Sequence, residues 1–289
     1  MSIYNYLDIN FINPIQSIPI KWYYSLKKRF NHLNQENRDF HIVVSLTSFP
    51  ARFNTLHLAI KSILCQKMKP DIIFLCLTKE EIKNESELPA SILDLKKYGL
   101  FIFFADENIK PHNKYYYARQ KYPDSLLITV DDDNIYDNNL VLDLYNSYIK
   151  HKTAVSARRV HKIKNDLNNI LLPYNDWYYE YKKEILPSLK LLATGVGGVL
   201  YPPGILPVET FEIEKIKKLC LNADDIWLKF MELKNNIPVV WVKGCRIHPY
   251  NIKSAQKIRL VKKNYHENQN DKYIQILQEY YGINLSSIK

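Results

Sequence analysis

The chain has 289 residues, enough for one large domain or two small ones, and 46% of them are hydrophobic, ample for a sizeable core. Its 40 Lys and Arg exceed its 30 Asp and Glu by ten, a balance that suits polyanionic partners such as nucleotide diphosphates or anionic membranes. No apolar run reaches the length of about 20 residues that a spanning helix needs, and the N-terminus lacks the basic-then-apolar pattern of a secretory signal.

The basic residues gather only modestly, at 27–29, 158–164 and 257–263; none of these is a dense nucleic-acid arm, and no nucleic-acid partner is expected. Lys, Asn, Ile and Tyr are all abundant, so the 22 Tyr read chiefly as compositional and only secondarily as sugar-stacking surface. Cys65, Cys76, Cys220 and Cys245 form no CxxC knuckle and read as thiols in a reducing compartment.

Residues 1–39 read as an N-terminal extension. Within it, 18–30 (IPIKWYYSLKKRF) mixes Trp22, Tyr23, Tyr24 and Leu26 with Lys21, Lys27, Lys28 and Arg29, which fits either a membrane-peripheral helix or a helix packed on the domain. The first strand is expected at 41–47 (HIVVSLT), followed by a helix over 54–66 capped by Asn54. Further strands are expected at 72–77, 100–104 and 125–130, with helical segments around Leu93 and Leu95, at 111–122 and at 138–150. These strands are continuously apolar, as when both faces are covered, and their alternation with helices predicts a parallel, doubly wound α/β sheet. In such sheets ligands bind at the carboxyl ends of strands, where the triplet Asp131-Asp132-Asp133 falls.

The second half is more mixed. A strand is expected at 153–157, and loops with a short helix over 163–192. Four of the seven glycines then lie within 195–204. A helix at 223–234, a strand at 239–242 and a last helix at 271–281 closed by Gly282 complete the chain.

Three adjacent carboxylates repel one another and cannot be buried unpaired, a cost that a divalent cation relieves. Alternation in extended backbone would turn Asp131 and Asp133 to one pocket and Asp132 aside. A glycine cluster lets substrate approach the backbone closely. Asp224 and Asp225 open a helix, where acids serve either as caps or as chemistry.

The segments VVSLTSFPARF, YPDSLLITVDDDNIY, TGVGGVLYPP and ADDIWL, in that order over about residues 41–250, together resemble bacterial glycosyltransferases of capsule and lipopolysaccharide synthesis. These are GT-A enzymes with a DxD motif, family 2-like and distantly exostosin-like. The resemblance implies a Rossmann-like, mostly parallel central sheet flanked by helices, with a mixed acceptor-binding second half. The domain would span 40–252, divided into a nucleotide-binding half (40–150) and an acceptor half (151–252), with a helical tail at 253–289.

It also implies a nucleotide-diphosphate sugar donor, chiefly a UDP-sugar, a glycan or lipid-linked acceptor, and Mn2+ or Mg2+. Thr47, Arg52, Lys114, Asp131, Asp132, Gly197 and Gly198 would serve the donor; Asp133, Asp131 and His248 the metal; Asp225, supported by Asp224, the proton of the acceptor hydroxyl. Arg246 is a further diphosphate candidate. Inverting and retaining outcomes both stay open. A cytoplasmic protein, peripheral on the inner membrane, is the expected setting. The competing readings are a metal-dependent phosphodiester hydrolase and a non-catalytic nucleic-acid or glycan-binding module.

Overall fold

The computed structural model describes residues 13–183, 186–246, 248–252 and 268–288. The basic cluster at 257–263 lies outside them, as do parts of the expected extension and tail.

A helix α1 (Asn13–Leu26) precedes the first strand, β1 (Ile42–Thr47). Then follow α2 (Phe53–Leu64), β2 (Ile72–Thr78), the one-turn α3 (Ala90–Leu93), β3 (Leu100–Ala105), α4 (Asn113–Lys121) and β4 (Leu126–Thr129). The second half holds β5 (Asn134–Ile135), α5 (Leu140–Lys150), β6 (Val155–Ala157), β7 (Val160–Lys162), β8 (Leu191–Ala193) and β9 (Val199–Tyr201). It ends with α6 (Ile213–Leu219), α7 (Asp224–Lys234), β10 (Val239–Trp241), β11 (Tyr250–Asn251) and α8 (Gln269–Tyr281), the last capped by Gly282 in the left-handed region.

The central sheet has seven strands in the order β10-β6-β9-β4-β1-β2-β3. All neighbouring pairs are parallel except those of β9, which runs antiparallel to both β4 and β6. Continuous apolar strands are explained by cores on both faces. Val43, Phe74 and Leu127 point to one face, against Tyr115 and Ala118 of α4 and Trp227 and Phe230 of α7. Ile42, Val44, Leu75 and Ile128 point to the other, against Ile60 of α2 and Leu140 and Leu144 of α5. The layers are therefore helix, sheet, helix.

Two expectations are corrected. Asn54 does not cap α2, because the 3-10 turn Pro50–Arg52 already leads the backbone into helical geometry and Arg52 stands at the cap. The stretch 163–192 contributes the small antiparallel pair β7–β8 and a 3-10 turn, Tyr174–Asp176; among the described residues it has no α-helix.

Candidate active site

The site lies at the carboxyl ends of β1 and β4, closed by the turn that enters β9. Thr129, the last residue of β4, pairs with Val199, the first of β9. That register sets the 3-10 turn Gly195–Gly197 beside the acidic triplet.

The three aspartates are held by two cations: Arg52 takes Asp132 and Asp133, and Lys114 takes Asp131. Asp132 is 4% exposed and turns inward to the loop after β1, where Ser48 Oγ donates to it at 2.5 Å and Arg52 Nη1 forms an ion pair with it. Burial raises its pKa, against the pull of Arg52 and Ser48. Asp133 meets Arg52 Nη2 at 3.3 Å and accepts from Asn134 Nδ2 at 2.7 Å. Asp131 meets Lys114 Nζ at 3.1 Å, and its backbone N–H donates to the Tyr136 hydroxyl at 2.8 Å. Asp132 does turn aside, into the protein, but Arg52 still ties it to Asp133. Asp131 is instead paired with Lys114, while Asp133 is paired with Arg52.

Lys114 projects from α4 and is nearly buried, with its ammonium also 2.8 Å from Asp224 Oδ2 at the start of α7. It therefore bridges the triplet and the second acidic pair. Burial opposes the charge of Lys114, but Asp131, Asp224 and Asp225 hold its pKa well above the usual lysine value. The same ammonium, against the burial penalty, lowers the pKa of Asp224.

Asp225 is in the opposite condition. Burial and the adjacent Asp224 charge push its pKa up to about 8. Its Oδ1 accepts from the backbone N–H of Gly195 at 3.1 Å. Neither acid makes a side-chain cap to α7, whose cap position is Ala223, so simple helix capping does not account for them. Below Asp224, His112 donates from Nε2 to the Cys220 carbonyl at 2.8 Å and accepts the Tyr115 hydroxyl at Nδ1 at 2.9 Å. Burial lowers its pKa to about 4, keeping this support neutral.

The glycine turn sorts by position. A methyl group on Gly195 would lie 2.7 Å from Lys114 Nζ, 3.4 Å from Asp131 Oδ1 and 3.5 Å from Asp225 Oδ1. Gly195 is thus where the backbone approaches the charged groups. Gly197 and Gly198, expected to line the donor, are instead pressed into the core. A methyl on Gly197 would strike Arg159 Cβ and N at 2.8 and 2.9 Å, and one on Gly198 would strike Leu140 at 2.5 Å. Gly198 also has φ +88°, a conformation that side chains disfavour.

Four further expected residues already have partners within the protein. Thr47 Oγ1 donates to the Cys76 carbonyl at 2.9 Å, tying the end of β1 to β2. Arg52 serves Asp132 and Asp133 while stacking 5.0 Å over Phe49. Its donor role would require exchange of carboxylate for phosphate. His248 Nε2 meets Glu180 Oε2 at 3.0 Å, and Glu180 in turn accepts from Arg159 Nε at 3.1 Å. Arg159 Nη1 then donates to Thr194 Oγ1 at 3.0 Å, linking this set to the glycine turn. Arg246 donates to the His248 carbonyl at 2.6 Å and to Gln16 of α1 at 3.2 Å, so it secures the chain rather than facing a phosphate.

Among the described residues, no group of three His, Cys, Asp or Glu side chains forms a ready metal cage. The donor set still fits a hard divalent cation held by one or two carboxylates and completed by a diphosphate, the usual habit of Mg2+. Asp133 and Asp131 would be its oxygen donors at the strand end. His248 has Nε2 on the Glu180 carboxylate, the kind of contact that orients metal-binding histidines.

Sequence reasoning did not single out Ser48, Glu180, Arg159 or His112. Ser48 sits inside the quoted TSFPARF segment and Arg159 inside a basic cluster, but which partner each would find depends on chain segments far away in sequence.

No protein-family description matches the sequence, and no curated protein does. Solved structures do. A mannosyltransferase from Pyrobaculum calidifontis, in complex with GDP-Man and Mn2+, superposes with a TM-score of 0.54 at 9% identity, over 96% of this chain and 74% of the other. Staphylococcus aureus TarS (residues 1–349) gives 0.48 at 13% identity, over 86% and 74%. A 4-diphosphocytidyl-2C-methyl-D-erythritol synthase from Anaerococcus prevotii gives 0.43 at 13% identity, over 75% and 94%. The first of these carries the assignment, and at such low identity it extends to architecture alone: the chain has a GT-A, Rossmann-like α/β fold.

Proposed function

We propose that the protein is a glycosyltransferase that moves a sugar from a nucleotide-diphosphate donor, a UDP-sugar foremost, to a glycan or lipid-linked acceptor in bacterial surface polysaccharide synthesis. The observation that carries this reading is the convergence of Asp131, Lys114 and Asp225 on the backbone of Gly195, with Asp224 joined to them through Lys114, at the carboxyl ends of the strands. A donor needs a carboxylate-rich strand end for its diphosphate and metal; an acceptor needs a proton-accepting group on the far side of the sugar carbon. Both are within one side chain of Gly195.

A bound Mn2+ or Mg2+ would supply positive charge to the departing diphosphate. Asp133 and Asp131, with His248, would hold it. Arg52, now on Asp132 and Asp133, would pass to a phosphate, for which its planar fork is suited. Asp225 is the proposed base. A carboxyl with a pKa of about 8 is half-charged at that pH and, once ionised, accepts a proton well, which is how a buried acid becomes useful in acid–base work. Asp224, kept charged by Lys114, maintains that elevation. In a retaining reaction the same Asp225 would orient the acceptor instead.

A two-metal phosphodiester hydrolase would need a second cation between the two acidic sets, the position that Lys114 already fills. That speaks for the transferase. The proposed setting is the cytoplasmic face of the inner membrane; among the described residues no helix is long and apolar enough to cross it.

The reading is tested by incubating the protein with Mn2+ and UDP-, GDP-, CDP- and ADP-sugars, with and without short glycan or lipid-linked acceptors, and measuring nucleoside diphosphate release. Acceptor-stimulated release from one donor class, lost in Asp225→Asn, supports it. No release from any donor, together with hydrolysis of a phosphodiester, overturns it.

A further inference from the structure

α1 (Asn13–Leu26) has two unlike faces. Its inner face is fixed: Ser17 and Tyr24 are buried, and Ile20 packs with Tyr24, Leu58, Ile135 and Ile252. Lys61 Nζ donates to the Tyr24 carbonyl at 2.8 Å. Its outer face exposes Ile15 (67%), Ile18 (55%), Trp22 (67%) and Leu26 (68%). Their spacing of three, four and four residues makes one continuous stripe along a helix. Single exposed apolar residues need no explanation, but four large ones in line on a firmly anchored helix do.

The surroundings are basic. Lys21 is partly exposed on the same helix, and Lys28 and Arg29 are exposed just beyond its end. A cavity of about 220 Å3 opens there, lined by Tyr23, Lys27, Arg29 and Lys69 among others. An apolar stripe containing Trp, bordered by Lys and Arg, is the composition of a helix that lies in the plane of a membrane interface. A second copy of the chain is a poorer occupant. A 14-residue helix is about 20 Å long at ~1.5 Å per residue, so its stripe offers only a couple of hundred Å2, far below the ~800 Å2 per partner of a standard interface.

We propose that α1 seats the protein on an anionic lipid bilayer, with Ile15, Ile18, Trp22 and Leu26 at the acyl boundary and Lys28 and Arg29 at the headgroup phosphates. The seat is coupled to the active site by short connections. Gln16 of α1 accepts from Arg246, beside His248, at 3.2 Å. β11, against which α1 packs, pairs with β5, and Ile252 N donates to the Asp133 carbonyl at 3.0 Å. Docking through α1 thus presents the mouth of the site next to the bilayer, where a lipid-linked acceptor would be held. The membrane seat itself stands without the transferase reading.

The test uses the intact chain with vesicles of phosphatidylcholine alone, or containing about one third phosphatidylglycerol, in co-sedimentation at low and high salt. Trp22 gives a direct signal, because Trp177, Trp227 and Trp241 are 5%, 0% and 8% exposed and already shielded from water. The expected result is binding to anionic vesicles that weakens with salt, with a blue shift in tryptophan emission. Trp22→Glu/Leu26→Glu and, separately, Lys28→Glu/Arg29→Glu should each lower partitioning by about tenfold or more. Absence of binding by the wild type overturns the proposal, as does equal binding by both variants. So does a concentration-dependent dimer that Trp22→Glu/Leu26→Glu abolishes, which would assign the stripe to a second copy. Nucleotide binding measured without vesicles should be unchanged in all variants, which keeps this outcome separate from that of the donor site.

Discussion

Asp225 and Lys114 are the residues on which the electrostatics of the site turn. Asp225 has a pKa of about 8, raised by burial and by Asp224, so catalysis that needs its carboxylate should rise with pH and level off above that value. Asp225→Asn should lose about 10²–10⁴-fold in turnover, the usual span for a general base, and leave donor-nucleotide affinity little changed. The raised pKa also means that the folded state binds a proton the unfolded chain has released between roughly pH 4 and 8. Stability is therefore lost as pH rises through that window, and Asp225→Asn should melt above wild type at pH 8 but not at pH 4. Thermal melts at both pH values check this sign. Lys114→Met leaves Asp131, Asp224 and Asp225 without their shared cation; removing one partner of a buried pair costs about 3–5 kcal/mol. Its melting temperature should fall most at high pH, where Asp225 is charged.

The acidic residues themselves were legible in the sequence, because carboxylates after a buried strand and at a helix start are hard to explain as packing. Their pairing was not. That Asp132 would turn to Ser48 and Arg52, and that Lys114 would span two acidic sets, depends on contacts between residues 80 to 110 positions apart.

At the scale of elements, β1 to β4 could be read from their apolar runs because both faces of each are covered. The antiparallel β9 could not. It has three residues, and its direction is set by the Gly195–Gly197 turn rather than by its own side chains. The glycine cluster was visible, but its division of labour required the structure. Gly197→Ala should cost about 1–3 kcal/mol, because the added methyl meets the Arg159 backbone, which cannot yield cheaply. Gly195→Ala meets the end of a lysine side chain instead. It should fold with little loss of melting temperature but displace Lys114 and depress turnover. Equal destabilisation by both substitutions in denaturant titrations would contradict the separate roles given to them.

At the scale of the molecule, the two halves contribute different things to one site. The parallel half supplies the end of β4 and the Arg52 loop; the mixed half supplies the glycine turn, α7 and the Glu180–His248 pair. α1, joined through Gln16 to Arg246 beside His248, ties this region to a surface of different chemistry. The alternation of strands and helices in the first half made this architecture foreseeable, whereas the second half, with short strands that pair far from their sequence neighbours, left little periodicity to read.

The central claim is a metal-dependent nucleotide site at the acidic strand end. Calorimetric titration of UDP, GDP, CDP and ADP, with and without Mn2+, against the wild type and Asp133→Ala tests it most directly. The account predicts that one nucleotide binds tightly only with Mn2+ and that Asp133→Ala weakens this binding at least about tenfold, as when a metal ligand or its support is lost. Nucleotide binding that ignores both the metal and Asp133, or no binding at all by a protein that melts cooperatively, would contradict it.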